Sequence, residues 1–369
     1  MREEPKPIRA ESTMNDDENN AKALESLIES LQAGRVVLFV GAGSSKRVGY
    51  PLWTDLIRDL RKRMQSDLDP QQGAYDEEAK DLLWEAQRIK EQYSTRLIPV
   101  LGDIFSPRDP RAFHRQLILL PCHRIITTNY DYLLESASRV AVLKNDGIKE
   151  LDTLDWWDPQ GLNRFIRRFH LRFRQENTRE ILHLHGSAKN WEKIIFTEND
   201  YVKFYGEDNP IKNLLWMMAA SYPILFVGFG LSDWDLLYTF RVVRNRMLTE
   251  HPPHHAIVGF DPNEKNSKAT YRAYLQDKYA INPIFYDVKQ RIISKDENKV
   301  SIGCYETNLD PLMNEISRRL NLDEYTPHLL EEKYLNTPIR RSPDLQSDQD
   351  LKLMQRDSDA FASHGKESQ

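Results

Sequence analysis

The chain has 369 residues with 51 Lys+Arg against 56 Asp+Glu, a net charge of −5. That length admits one large domain or two ordinary ones, and the acidic balance argues against a protein that binds nucleic acid through overall charge. Two cysteines, Cys122 and Cys304, exclude both a disulfide framework and a four-thiolate zinc site. No apolar run approaches the ~18–20 residues of a membrane span, and Met1-Arg2-Glu3-Glu4-Pro5 is too polar to start an export signal. These features predict a soluble, cytoplasmic globular protein.

Residues 1–20 carry almost nothing apolar and read as a disordered arm. Leu24, Leu27, Ile28 and Leu31 then keep helical spacing, and Gly34 stands where a glycine would stop that helix. Val36-Val37-Leu38-Phe39-Val40 follows, a continuous apolar run suited to a strand covered on both faces. Further strands are expected at Arg124–Thr127, Ile181–Leu184, Ile194–Thr197, Ile224–Val227, Ala256–Gly259 and Ile281–Tyr286. Helical patterns lie at about 53–66, 76–91, 130–138, 209–220, 233–248, 264–278 and 309–320. This alternation predicts an α/β fold, a Rossmann-like parallel sheet with helices on both faces and helical insertions. A domain over 21–325 and a polar C-terminal tail over 326–369 complete the expected organisation.

The first strand ends in Gly41-Ala42-Gly43-Ser44-Ser45 and leads into a helical pattern. Glycines there permit a tight turn and let backbone N–H groups approach a pyrophosphate. Lys46 occupies the third glycine position of GxGxxG, so the loop is also compatible with a plain tight turn. Three more strand ends are polar: Thr127-Thr128-Asn129-Tyr130-Asp131, Leu184-His185-Gly186-Ser187, and Gly228-Phe229-Gly230-Leu231-Ser232-Asp233. Open parallel sheets bind ligands at that end. Each ending also has a plainer reading: Asn129, Asp131 or Ser232 as a helix N-cap, and His185 as a core histidine.

In this order and spacing the motifs resemble the sirtuin superfamily over about residues 34–235. The likeness is greatest to the sirtuin-like domains of bacterial antiphage defence systems, which typically show a TTNYD string, an HG pair and a G-F/Y-G/S-x-x-D string like Gly228–Asp233. The resemblance implies a Rossmann-like fold that binds NAD⁺ as substrate. It implies that Gly41, Ala42, Gly43, Ser44 and Ser45 hold its phosphates and ribose, with Thr128 nearby. Asn129 would orient the ribose or an attacking water beside Asp131, and His185 would act as base or polarise a ribose hydroxyl. Gly228, Ser232 and Asp233 would line the adenosine side. The chemistry needs no acid for the cationic nicotinamide, only a positioned nucleophile and hydrogen bonds to an oxocarbenium-like ribose; a histidine of near-neutral pKa suits it.

Two departures bear on the reaction. Protein-deacylating sirtuins carry a Cys₄ zinc module, which two cysteines cannot build. Where a deacylase has Pro-Asp-Phe-Arg, this chain reads Pro51-Leu52-Trp53-Thr54. Water is therefore the expected acceptor, making the chain an NAD⁺ glycohydrolase without zinc; the alternative is a non-hydrolytic NAD- or ADP-ribose-binding or nuclease-associated subunit. Family arrangements further imply a homo-oligomer paired with a HerA-type ring ATPase. Trp156-Trp157 and the arginines at 164, 167, 168, 172, 174 and 179 form either a solvated basic helix or a contact surface. His251-Pro252-Pro253-His254-His255 lacks companion carboxylates or thiols and reads as no metal site.

Overall fold

The computed structural model describes residues 16–65, 81–122, 124–143, 151–169, 179–206, 210–231, 233–247, 252–261, 267–296, 299–306 and 309–322. All of them fall in one compact unit, Met1–Glu331; the tail expected over 326–369 lies outside the described residues.

In chain order the elements are α1 (Asp16–Gln32), β1 (Val37–Val40), α2 (Ala42–Lys46), α3 (Trp53–Gln65), α4 (Leu82–Gln92), α5 (Ser94–Ile104), α6 (Ala112–Leu119) and β2 (Arg124–Thr127). There follow α7 (Leu133–Leu143), β3 (Leu151–Asp155), α8 (Pro159–Arg167), β4 (Arg179–His183), α9 (Glu198–Gly206), α10 (Pro210–Ser221) and β5 (Ile224–Val227). The last are α11 (Trp234–Met247), β6 (His254–Phe260), α12 (Lys268–Tyr279), β7 (Ile281–Asp296), β8 (Lys299–Glu306) and α13 (Leu309–Arg319). The strands form one sheet in the order β3-β4-β2-β1-β5-β6-β7-β8, with β8 antiparallel to β7 and every other pair parallel.

Strand β1 shows why the central run is apolar throughout. Val37 and Phe39 enter a core packed by α8, α10, α11 and α12, while Leu38 and Val40 enter one packed by α1, α6, α7 and α13. All four side chains are fully buried, as expected of a strand with helices on both faces. A third cluster joins α3, α4 and α5 to Tyr130 and Leu133 beyond the end of β2.

Several elements differ from the sequence expectation. Helix α1 begins at Asp16, inside the segment expected to be disordered. The Asn20 amide explains its order: it donates to Phe285 O (3.1 Å) and accepts from Phe285 N (2.7 Å). That stretch of β7 precedes its pairing with β8, so Asn20 satisfies an open sheet edge. Gly34 does end the helix, at φ +66°. Ile194–Thr197 is not a strand. It crosses the end of the sheet with Ile195 in one core and Ile194 and Phe196 in the third, an alternation that mimics a strand. Strand β3 went unpredicted because an edge position leaves it only two apolar residues to bury, Leu151 and Leu154, beside the buried polar Asp155.

Among the described residues no helix is long and apolar enough to cross a membrane, and no group of three His, Cys, Asp or Glu is placed to hold a metal ion.

Candidate active site

The register brings the inner strand ends level: Val40 lies opposite Thr127 and Val227, and Thr127 opposite His183. From β1 the chain passes first to β2 on one side and later to β5 on the other, so the sheet order reverses at β1. Such a switch point opens a crevice at the carboxyl ends of the strands.

The glycine loop is shaped first by its neighbour. Gly41 N donates to Val227 O (3.0 Å), Gly43 N to Gly228 O (2.7 Å) and Ser44 N to Gly41 O (3.0 Å). A Cβ on Gly41 would stand 2.6 Å from Phe229 Cα, and one on Gly43 2.8 Å from Gly228 O. Gly228 itself sits at φ +64°. The glycines thus let the loops after β1 and β5 lie against each other, and the three N–H groups named are bonded within the chain.

The two serines at the start of α2 are committed in the same way. Ser44 Oγ donates to Gly41 O (2.8 Å) and Ser45 Oγ to Asp131 Oδ2 (2.7 Å). With their protons used, both hydroxyl oxygens can only accept. The Asn129 amide nitrogen faces them at 3.3 and 2.9 Å, and Gly41 O at 3.2 Å. This orientation turns Asn129 Oδ1 the other way, where it is buried without a hydrogen-bond partner. A desolvated acceptor left unpaired is destabilising by about 1–3 kcal/mol, and a ligand hydroxyl or a water would satisfy it.

Asp131 meets its capping alternative. Its Oδ1 accepts from Leu133 N (3.1 Å) at the start of α7, and its Oδ2 holds Ser45. Burial raises its carboxyl above the usual range, against the pull of those two bonds. Behind the loop, His114 Nδ1 accepts from Arg111 N (2.9 Å), which leaves Nε2–H to donate to Ser44 O (3.1 Å). Burial pushes this imidazole down to about 4. Thr128 is half-buried at the loop's edge, its N–H on Val40 O (3.2 Å).

His185, buried, has a separate surround at the same end of the sheet. The rings of Tyr201, Phe204 and Tyr205 surround it edge-on, at centroid distances of 5.3, 6.1 and 6.0 Å. Its Nε2 lies 2.7 Å from Tyr205 Oη and 3.8 Å from Asp233 Oδ2. Asp233 also caps α11, accepting from Leu236 N (3.1 Å). Ser232, the expected cap and site residue, lies outside the described residues. Burial pushes His185 down to about 3, which corrects the near-neutral expectation. Among the described residues no hydrogen bond or ion pair links His185 to the Asn129 group.

Sequence reasoning missed the groups that brace these two. Tyr205 carries no local signal. His183 and Glu135 had one: His183 precedes His185 by two positions on the same strand end, and Glu135 lies one helical turn beyond Asp131. His183 Nε2 lies 2.7 Å from Glu135 Oε1, and its Nδ1–H donates to Asn129 O (2.8 Å).

Residues 123–284 match the SIR2-like domain family. The NAD(+) hydrolase ThsA of Acinetobacter baumannii is 24% identical over 308 residues, 80% of this chain and 56% of its own length. ThsA of Bacillus cereus is 22% identical over 282 residues, 73% and 53% of the two chains. Defense-associated sirtuin 2 of Bacillus subtilis is 25% identical over 238 residues, 62% of this chain and 21% of its own. The chain thus spans about half the length of the two ThsA relatives and a fifth of the third. Similar solved structures include a Sir2 homolog–NAD complex, 14% identical, covering 80% of this chain and 94% of its own, at a TM-score of 0.36. A Sir2 homologue mutant with ADP ribose is 15% identical and covers 81% and 98%, at a TM-score of 0.38.

Proposed function

We propose that the chain is an NAD⁺ glycohydrolase that releases nicotinamide and ADP-ribose, with Asn129 and His185 as its reacting-site residues. The observation that carries this reading is Asn129 Oδ1, a buried, unpaired acceptor at the switch point of a dinucleotide-type sheet. An acceptor fixed there would hold a ribose hydroxyl or the attacking water as the cationic nicotinamide departs. The names of the ThsA relatives supply independent support. His185, kept neutral by burial, fits polarisation of a ribose hydroxyl better than storage of a proton. Asp131 serves as a positioning residue for Ser45 and α7. Gly41, Ala42, Gly43, Ser44, Ser45, Thr128, Gly228, Ser232 and Asp233 are proposed to shape the nucleotide cleft around them.

The test is nicotinamide release from NAD⁺ by purified protein. Asn129→Ala and His185→Ala should each lower it by about 10²–10⁴-fold, the range of positioned acid–base and orienting groups. Near-wild-type release by both variants overturns the assignment. Acetyl-lysine peptides should remain uncleaved and the protein should bind no stoichiometric zinc, because two cysteines cannot form the module that deacylation uses.

We further infer a cytoplasmic role in antiphage defence through NAD⁺ depletion, as a homo-oligomer governed by a HerA-type ring ATPase. Resemblance to paired defence proteins supports this, as does the toxicity of an unrestrained NAD⁺ hydrolase. Equivalent docking sites on a ring would favour a multimeric effector through avidity. Light scattering checks it: a monomer at micromolar concentration that is fully active alone is the opposing result.

A further inference from the structure

Asn129 is held through its backbone as well as its amide. Its N–H donates to Thr127 Oγ1 (3.0 Å), and its carbonyl accepts from His183 Nδ1 (2.8 Å). The other ring nitrogen of His183 meets Glu135 Oε1 at 2.7 Å, and Thr153 Oγ1 reaches the same oxygen at 3.3 Å. His183 and Glu135 are both buried. The Tyr132 ring lies against the imidazole at 5.5 Å.

The proton count of this arrangement is fixed by chemistry. A carbonyl oxygen can only accept, so Nδ1 must carry hydrogen. A second proton must then lie between Nε2 and Glu135 Oε1, on either atom. A neutral imidazole beside a carboxylate has one hydrogen for two acceptors, so one of the two bonds must fail. We propose that Glu135 and His183 are positioning residues, a proton-holding clamp that keeps Asn129 aimed at the reacting ribose and lets go when the pair releases its shared proton to solvent.

Other charges face the pair from each neighbouring element. Asp155 stands opposite His183 on β3, Asp131 lies on the loop before α7, and Lys189 lies near Asp155. Burial is the largest single influence and works against a charged imidazole here, but Glu135, the Asn129 carbonyl and Asp155 together outweigh it, so His183 is raised above the usual histidine range. A raised group keeps its proton below its elevated value, so the clamp is intact there and is lost as pH rises through it.

The proposal rests on the hydrolase reading, and the experiment separates the two. It measures kcat and KM for nicotinamide release from pH 6 to 10 for wild type, Glu135→Gln, His183→Gln and His183→Ala. Wild type should lose kcat along an alkaline limb while KM stays nearly constant. In Glu135→Gln the amide can donate to a neutral His183, so both bonds persist without a titrating proton. That variant should turn over a few-fold more slowly, with the alkaline limb absent. His183→Ala should lose about 10²-fold in kcat, as a misplaced reacting group does. His183→Gln, which can still donate to the Asn129 carbonyl, should recover part of it. Superimposable pH profiles for wild type and Glu135→Gln overturn the clamp, as does wild-type kcat in either His183 variant. A second readout needs no turnover: ¹⁵N-histidine spectra, with His183 assigned by its loss in His183→Gln. They should show its ring protonated at both nitrogens above the ordinary histidine range. An ordinary titration near 6.5 overturns the clamp. A wild-type protein that releases no nicotinamide overturns the hydrolase reading instead, and the spectra then decide the clamp alone.

Discussion

At the scale of single residues, the site is organised by where protons have already been spent. Ser44 and Ser45 donate to Gly41 and Asp131, so they can only accept from Asn129, and this leaves Asn129 Oδ1 unpaired. The same loop depends on a backbone contact that no side chain could share. A Cβ on Gly228 would run into Ser44 N, at a φ of +64° that L-residues rarely adopt. Gly228→Ala should therefore lower stability by roughly 1–3 kcal/mol from strain alone, with overpacking added. It should also displace Ser44 and reduce turnover, both read by urea unfolding and nicotinamide release. A wild-type urea midpoint would show that the two loops can part without loss. His255 makes a different point. It is fully buried on β6, neither ring nitrogen has a hydrogen-bond partner, and burial pushes it down to about 4. Its depressed value means the unfolded chain takes up the proton first, so stability falls as pH drops below about 6.5 and continues to fall toward the folded value. Relative to His255→Leu, wild type should lose about 1.4 kcal/mol more per pH unit across that window. Parallel stability curves for the two proteins would contradict it.

At the scale of elements, α3, α4 and α5, inserted between β1 and β2, form a cap packed on the segment that leaves the carboxyl end of β2. Their cluster buries Leu60, Met64, Ile89 and Leu101 together with Tyr130, next to Asn129 in sequence. Tyr130 Oη donates to Ile195 O (2.8 Å), and Ile195 N donates to His185 O (2.9 Å). The crossing segment at 194–197 therefore ties the Asn129 loop, the His185 turn and the cap into one packed unit. Phe196, buried and edge-on to Trp53 at 5.4 Å, anchors it. Phe196→Ala should destabilise by about 3–5 kcal/mol, the range for deleting a buried aromatic ring. Nicotinamide release in a variant still folded should fall as well, because the same segment holds the His185 carbonyl. A loss below 1 kcal/mol, by urea unfolding, would mean that the cap closes without it.

At the scale of the whole molecule, the reversal of strand order at β1 is what makes a binding crevice out of separate loop ends. Helices pack on both faces of the sheet, so β1, β2, β4 and β5 are buried along their length and present polar groups to a ligand at their carboxyl ends. The two charge environments there differ within one strand end. His183 is paired with Glu135 and raised, whereas His185 has aromatic neighbours and is lowered. Two histidines two positions apart are thus pushed in opposite directions by their neighbours in space, one by a carboxylate and the other by burial.

Much of this was already legible in the order of residues. Apolar runs ending in small and polar residues, separated by helical spacing, were enough to establish a parallel sheet and the places where loops meet. Such patterns are local, and burial on both faces of a strand leaves a continuous apolar signature. Asn129, Asp131 and His185, the proposed site residues, stand out on the same grounds, because each closes such a run. What sequence could not decide is which of these groups has an atom to spare. Asp131 and Asn129 look equivalent as strand-end polar residues, yet one is fully occupied and the other is not. That difference depends on Ser45, 84 positions before Asn129, and on Glu135 and His183, 48 positions apart. Hydrogen-bond satisfaction and pKa are properties of neighbours in space, and only the folded sheet brings those neighbours together.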